Sequence, residues 1–179
     1  MRSVPQPTKL QFDLSGSQHL ICVTSEVIDV IYTRLEELEH IPQNIQILQL
    51  GETVKARKDW KIEQFNSVEN LQKKLREILE RAYIGTRFYA IGSAQFIYDV
   101  ENCARSFGMS EEEISLEVFD SKARRVYCST CHTINYPVST NLITCSGCGI
   151  KLEIWEHFSR LKNAYLGVCA DAENPGDLL

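Results

Sequence analysis

The chain has no run of about 18 apolar residues, so no membrane-spanning helix is expected. Its first stretch, MRSVPQPTKLQFDL, lacks the apolar core of a secretory signal. It also lacks an excess of positive charge. Nineteen Lys and Arg stand against 24 Asp and Glu, a formal net charge of -5. Phosphate-backbone binding needs clustered cations, so nucleic acid is not an expected partner. With neither span nor signal, the chain is expected in the cytoplasm, where thiols stay reduced. Seven cysteines there argue for metal or free thiols and against a disulfide framework. At 44% hydrophobic and 24% charged residues over 179 positions, there is material for one medium domain plus a small module.

A glycine is missing at another informative place. HLICVTS (19–25) is apolar and β-branched, the mark of a buried strand. Val27, Ile28, Ile31, Tyr32, Leu35 and Leu38 recur at helical spacing, with Ser25 as the expected cap. Residues 44–51 read as a second strand. Residues 52–66 are charged and irregular, with Trp60 and Phe65 as anchors. Ser67 caps a second helix that Gly85 stops, residues 86–92 form a third strand, and Ser93 caps a third helix closed by Gly108. A short acidic turn from Ser110 leads to a last strand at 114–119. The order β-α-β-α-β-α-β predicts an α/β fold with a mainly parallel sheet flanked by helices. In such folds the first strand-to-helix turn cradles a phosphate through glycines at a helix N-terminus. Here that turn is CVTSEVIDV, with no glycine and with Glu26 where a phosphate would sit. A nucleotide-type fold without the nucleotide is therefore expected, and no catalytic or cofactor-binding residue is assigned. Cys22 and Cys103 fall on apolar faces and read as small buried hydrophobes.

What the sequence does have is VYCSTCHTINYPVSTNLITCSGCGI (126–150). Cys128 and Cys131 form one Cys-x-x-Cys pair, Cys145 and Cys148 another, with 13 residues between. A Cys-x-x-Cys in a tight turn can put both sulfurs on one ion, and two such turns close a tetrahedron. Gly147 and Gly149 flank Cys148, where positive φ would free backbone N–H groups to point at sulfur. Residues 134–138 and 142–143 read as a hairpin turning at 139–141. Four thiolates suit zinc and equally suit one iron of the rubredoxin kind. An iron site usually has glycine after both knuckles, whereas His132 follows Cys131. Structural zinc is therefore the expected metal, a single iron the alternative, and His132 is expected outside the ligand set.

After the cysteines, Ile154, Phe158, Leu161 and Tyr165 recur at helical spacing, which predicts a helical tail ending at Gly167 and rich in aromatics for packing. His157 has no visible carboxylate or nucleophile beside it and reads as a structural histidine. Asp171 and Glu173 read as a solvated acidic face. Three parts are expected: an α/β domain at 1–124, a four-cysteine ribbon at 125–152 and an interaction tail at 153–179.

Two resemblances follow from particular residues. RFYAIGSAQFIYDVENCARSFGMSEEEISLEVF (87–119) resembles the end of the pyridine-nucleotide domain of ferredoxin–NADP reductase-type flavoproteins, through Gly92, Phe96, Gly108, Glu117 and Phe119. Ile91 and Ser93 replace the Cys and Pro usual there, so the resemblance implies a degenerate copy of that domain. The knuckles together with HFSRLKNAYLGVCADAE (157–173) resemble the small accessory subunit of bacterial dimethylamine monooxygenases, over roughly residues 85–175. That resemblance implies a multisubunit system that converts dimethylamine to methylamine and formaldehyde. It implies a haem-bearing oxygenase subunit and a reductase subunit carrying FMN and an iron–sulfur cluster, fed by NADPH. This chain would be the accessory subunit.

Overall fold

The computed structural model describes residues 9–52, 60–119, 123–159 and 161–170. The described residues divide into two compact units, one holding those between 9 and 119 and the other those between 123 and 170.

The first unit holds five strands: β1 (Gln18–Thr24), β2 (Ile45–Leu50), β3 (Lys61–Phe65), β4 (Thr86–Gly92) and β5 (Ile114–Val118). They run in the order β3-β2-β1-β4-β5, and every pairing is parallel. Helices α1 (Ile28–Glu36), α2 (Val68–Leu79) and α3 (Ala94–Ser106) cover the two faces. The α/β fold with a parallel sheet is as the alternation required. Alternate residues of the central strands supply two cores. Leu20, Cys22, Leu48, Phe88 and Ala90 meet α2 and α3, while Ile21, Val23, Ile47, Tyr89 and Ile91 meet α1. Burial on both faces explains why these strands read as near-continuous apolar runs. Cys22 and Cys103 both lie in the first core, as expected.

Two of the expected caps hold. The Ser67 and Ser93 hydroxyls accept from the N–H groups of Asn70 and Phe96. Ser25 does not cap α1. It opens a single 3-10 turn, Ser25–Val27, and α1 starts only at Ile28 without a side-chain cap. The hydroxyl lies instead where a Cβ on Gly51 would come within 2.5 Å. Strand β3 was expected as irregular chain. It is an edge strand, and its charged residues Lys61 and Glu63 hide the pattern. No described helix is long and apolar enough to cross a membrane.

The second unit is a five-stranded sheet: β6 (Arg124–Cys128), β7 (Ile134–Val138), β8 (Leu142–Thr144), β9 (Lys151–Ser159) and β10 (Ala164–Cys169), in the order β7-β6-β10-β9-β8. Two sequence expectations fail here. The helical tail is two strands, β9 and β10, paired antiparallel. Leu152 and Ile154 point into the small core while Glu153 and Trp155 are exposed, a period of two that the aromatic spacing masked. Gly167 sits inside β10 and does not end a helix. The expected 134–143 hairpin is also absent. β7 pairs with β6 and β8 pairs with β9, so they lie at opposite ends of the sheet order. The link between them crosses over, and the Arg124 guanidinium donates to Thr140 O (2.7 Å) and Asn141 Oδ1 (3.0 Å) within it.

Candidate metal centre

Each Cys-x-x-Cys forms the tip of a hairpin, β6–β7 for the first pair and β8–β9 for the second. The two tips share one backbone pattern. Cys128 N donates to Thr133 O (3.0 Å) and His132 N to Cys128 O (3.0 Å); Cys145 N donates to Ile150 O (2.8 Å) and Gly149 N to Cys145 O (2.9 Å). The fifth residue of each loop takes a left-handed conformation, φ 77° at Gly149 and 68° at His132. His132 therefore holds the glycine conformation at the first knuckle, at a steric cost glycine does not bear. Its ring stacks on Tyr127 at 5.4 Å between centroids.

The four sulfurs converge. All lie within 4.8 Å of one another, with Cys131 and Cys145 at 3.6 Å and Cys128 and Cys148 at 3.9 Å. A tetrahedron with metal–sulfur bonds of about 2.3 Å places its sulfurs about 3.8 Å apart. These gaps are far too long for a disulfide, and all four thiols are free. Cys128 and Cys145 are buried, whereas Cys131 and Cys148 face solvent, one of each kind per knuckle. The group could hold a metal ion, and the donor set fits one that takes four thiolates. His132 is not part of it.

The electrostatics favour a cation. Burial pushes the Cys145 thiol up, but N–H groups of Cys148 and Gly147 and the Asn135 amide outweigh it and bring it down to about 6. A hydrogen bond with the Thr133 hydroxyl leads in holding Cys131 low. At Cys148 the Ile150 N–H favours the thiolate, but burial and the three neighbouring thiols win and push it up to about 12. One site thus ionises readily and another resists, because negative charge cannot accumulate on four adjacent sulfurs. A bound dication removes that opposition.

Two more residues complete the site, Asn135, which the sequence reading did not weigh, and Gly147, which it read differently. Asn135, buried at 6% exposure, links β7 to the second knuckle. Gly147 does not have positive φ, contrary to expectation. Its role is close approach: a Cβ there would lie 2.2 Å from Thr133 Oγ1 and 3.1 Å from Cys131 Sγ. A glycine inside the second pair, facing the first, was the available signal.

The residues behind the reductase resemblance have structural partners. Gly92 ends β4, and a Cβ there would lie 2.8 Å from both Phe96 Cδ1 and Thr24 Cγ2, so side chains fill the crevice between the tips of β1 and β4. Glu117 accepts a paired hydrogen bond from Arg34 of α1, one leg at 2.9 Å, and another from Leu10 N at 2.7 Å. His157 is exposed on β9, away from the sulfurs' ligand set. Asp171 and Glu173 lie outside the described residues.

Comparison with known proteins agrees with this division. Residues 1–114 match the family described as dimethylamine monooxygenase subunit DmmA-like, N-terminal domain, and residues 125–168 match the corresponding C-terminal domain. The chain belongs to this DmmA-like family. A relative, the heme-dependent oxidative N-demethylase delta subunit of Ectopseudomonas mendocina (strain ymp), is 38% identical over 111 residues, covering 62% of this chain and 63% of that one. The match thus spans just under two thirds of that relative's length. Among solved structures, phthalate dioxygenase reductase is similar at 11% identity and a TM-score of 0.48, over 73% of this chain and 47% of that chain.

Proposed function

We propose that this chain is an accessory subunit of a haem-dependent, NADPH-driven dimethylamine monooxygenase, which oxidatively demethylates dimethylamine to methylamine and formaldehyde. Its partners would be a haem-bearing oxygenase subunit and a reductase subunit carrying FMN and an iron–sulfur cluster. In this reading Cys128, Cys131, Cys145 and Cys148 hold a structural zinc, and the ribbon helps hold the assembly together. Family membership supports the complex, and the relative is a subunit of a heme-dependent oxidative N-demethylase. The observation that carries the structural role is the composition of the ribbon's core. Beyond the sulfurs, few apolar side chains are buried among its described residues: Val126, Val138, Leu152, Ile154 and Ala164. A sheet with so little of its own core needs a cross-link, and a closed four-thiolate site supplies one without an open position for chemistry.

A second reading makes the metal a single iron that passes electrons from the reductase to the haem. It is supported by His132, whose backbone matches Gly149, and by the exposure of residues Cys131 and Cys148. Metal analysis of protein purified without added metal separates the two. About one zinc per chain and a colourless solution support the clamp; about one iron and a red oxidised form overturn it. Cys145→Ser is expected to unfold the ribbon and block assembly with the oxygenase and reductase subunits. An assembled complex that only loses NADPH-driven turnover would favour the relay.

A further inference from the structure

The two knuckles share their backbone hydrogen bonds, but their surroundings differ. Seven residues after the first cysteine of each pair stand Asn135 and Leu152 respectively. Both are buried beside the sulfurs, Leu152 at 0% and Asn135 at 6% exposure. Leu152 packs against Cys128 and Cys145 as an apolar wall. Asn135 instead makes a set of directed bonds. Its Oδ1 accepts from Ser146 N at 2.8 Å and from Ser146 Oγ at 3.0 Å. Its Nδ2 faces Thr133 O at 3.5 Å and Cys145 Sγ at 3.6 Å.

The orientation of this amide is forced. The Ser146 N–H can only donate, so the amide oxygen must face it. The NH2 group is then left to the carbonyl of Thr133 and the sulfur of Cys145. One side chain thereby touches both knuckles: Thr133 closes the first, and Cys145 and Ser146 belong to the second.

We infer that Asn135 is the positioning residue of the metal centre. It fixes the second knuckle against the first and donates a side-chain hydrogen bond to the Cys145 sulfur. A donor on a ligand sulfur draws electron density from it, and partners of this kind behind the ligands typically govern metal retention by 10- to 100-fold. The four sulfurs are therefore unequal: Cys145 carries a directed amide donor, while Cys128 is backed by the apolar wall of Leu152. This inference rests on the four-thiolate reading, so its test must separate the two.

The test uses the full chain loaded with Co2+, whose thiolate-to-metal charge-transfer bands report on the sulfurs, and competition with a chromophoric chelator to measure retention. If the unaltered chain takes up no Co2+ with thiolate bands, the metal reading itself fails. If it binds one, the variants decide the role of Asn135. Asn135→Asp keeps the acceptor for Ser146 and removes the donor to Cys145. Asn135→Leu copies the apolar wall that serves the other knuckle and so preserves packing. Both are expected to hold Co2+ 10- to 100-fold more weakly and to shift the charge-transfer band to lower energy, because an unbonded thiolate gives up its electron more easily. Ser146→Ala, which leaves the amide-to-sulfur bond in place, should change retention by less than about threefold and leave the band unmoved. Should Asn135→Leu fail to fold, Asn135→Ala is read by the same band and the same limit. Retention within threefold of the unaltered chain with an unshifted band, in a folded variant lacking the donor, overturns the inference.

Discussion

Gly147→Ala isolates the close approach of the two knuckles. The added methyl would sit 2.2 Å from Thr133 Oγ1, 2.9 Å from Thr133 Cβ and 3.1 Å from Cys131 Sγ. Ordinary contact distances between such atoms are about 3.5 Å or more, so Thr133 or the second knuckle must move by roughly an ångström. Thr133 cannot yield freely. Its carbonyl holds Cys128 N at 3.0 Å and its hydroxyl lies 3.3 Å from Cys131 Sγ. Overpacking of this kind costs about 1–3 kcal/mol. Because metal binding and folding of such a site are coupled, the cost should appear as metal affinity lower by about 5- to 150-fold. Gly149→Ala is the comparison. Gly149 has φ 77° but no atom within 4 Å of its missing Cβ, so the change costs only the left-handed backbone, about 1–2 kcal/mol. Chelator competition on the two variants, side by side, measures both. A loss of metal affinity of less than about twofold from Gly147→Ala would refute the close-approach account.

Three further outcomes are expected. His132→Gly should relieve about 1–2 kcal/mol of left-handed strain against about 0.4–1 kcal/mol of added chain entropy, a net gain seen as slower metal release on heating, less whatever the stacking on Tyr127 contributes. Stripping the metal with a strong chelator should open residues 126–169 to protease while leaving cleavage in α2 and α3 unchanged; simultaneous cleavage throughout would count against a metal role confined to the ribbon. Stability of the first unit should fall as the pH is lowered. Burial lowers the His19 pKa below 6.5, and the Arg34 hydrogen bond lowers Glu117 below 4.5. Both groups contribute stability that is full above their unfolded values and is lost as pH drops through the folded ones. Glu117→Gln should flatten the acid limb of a pH–stability profile and cost about 1.5–3 kcal/mol at neutral pH, since the Arg34–Glu117 pair is only partly exposed at 22% and 14%.

The parallel sheet was legible because its central strands bury both faces and therefore carry uninterrupted apolar runs. Ser67 and Ser93 were legible because capping is a local interaction. What escaped depends on pairing between distant residues. Lys61–Phe65 becomes a strand only because β2 lies beside it, register Gln46 to Lys61 through Leu50 to Phe65. Ile154, Phe158, Leu161 and Tyr165 suggested a helix because apolar residues at spacing three or four fit one. In the folded chain Trp155 is exposed opposite Leu166, while Phe158 meets Tyr165 edge-on, the two pairs separated by a bulge. The cysteine spacing revealed the four donors. It could not reveal that the cysteines are the hairpin tips, which is what sends β7 and β8 to opposite ends of the sheet order.

That placement decides how the ribbon's stability is organised. In the first unit, helices close both faces of the sheet, and many buried side chains stand in two cores. In the second, one cluster is Val126, Val138 and Ile154, and the other is Leu152 with the sulfurs of Cys128 and Cys145 themselves. Two of the four thiols that could hold a metal are thus core residues as well. The neighbouring thiols and burial push the Cys148 thiol up, and a bound dication would remove that opposition to ionisation. The same reasoning applies whether the cation is zinc or iron. Under the proposed reading, the structural role of the metal comes before any electron transfer, and a relay, if the metal is iron, would be built on the same four-thiolate clamp.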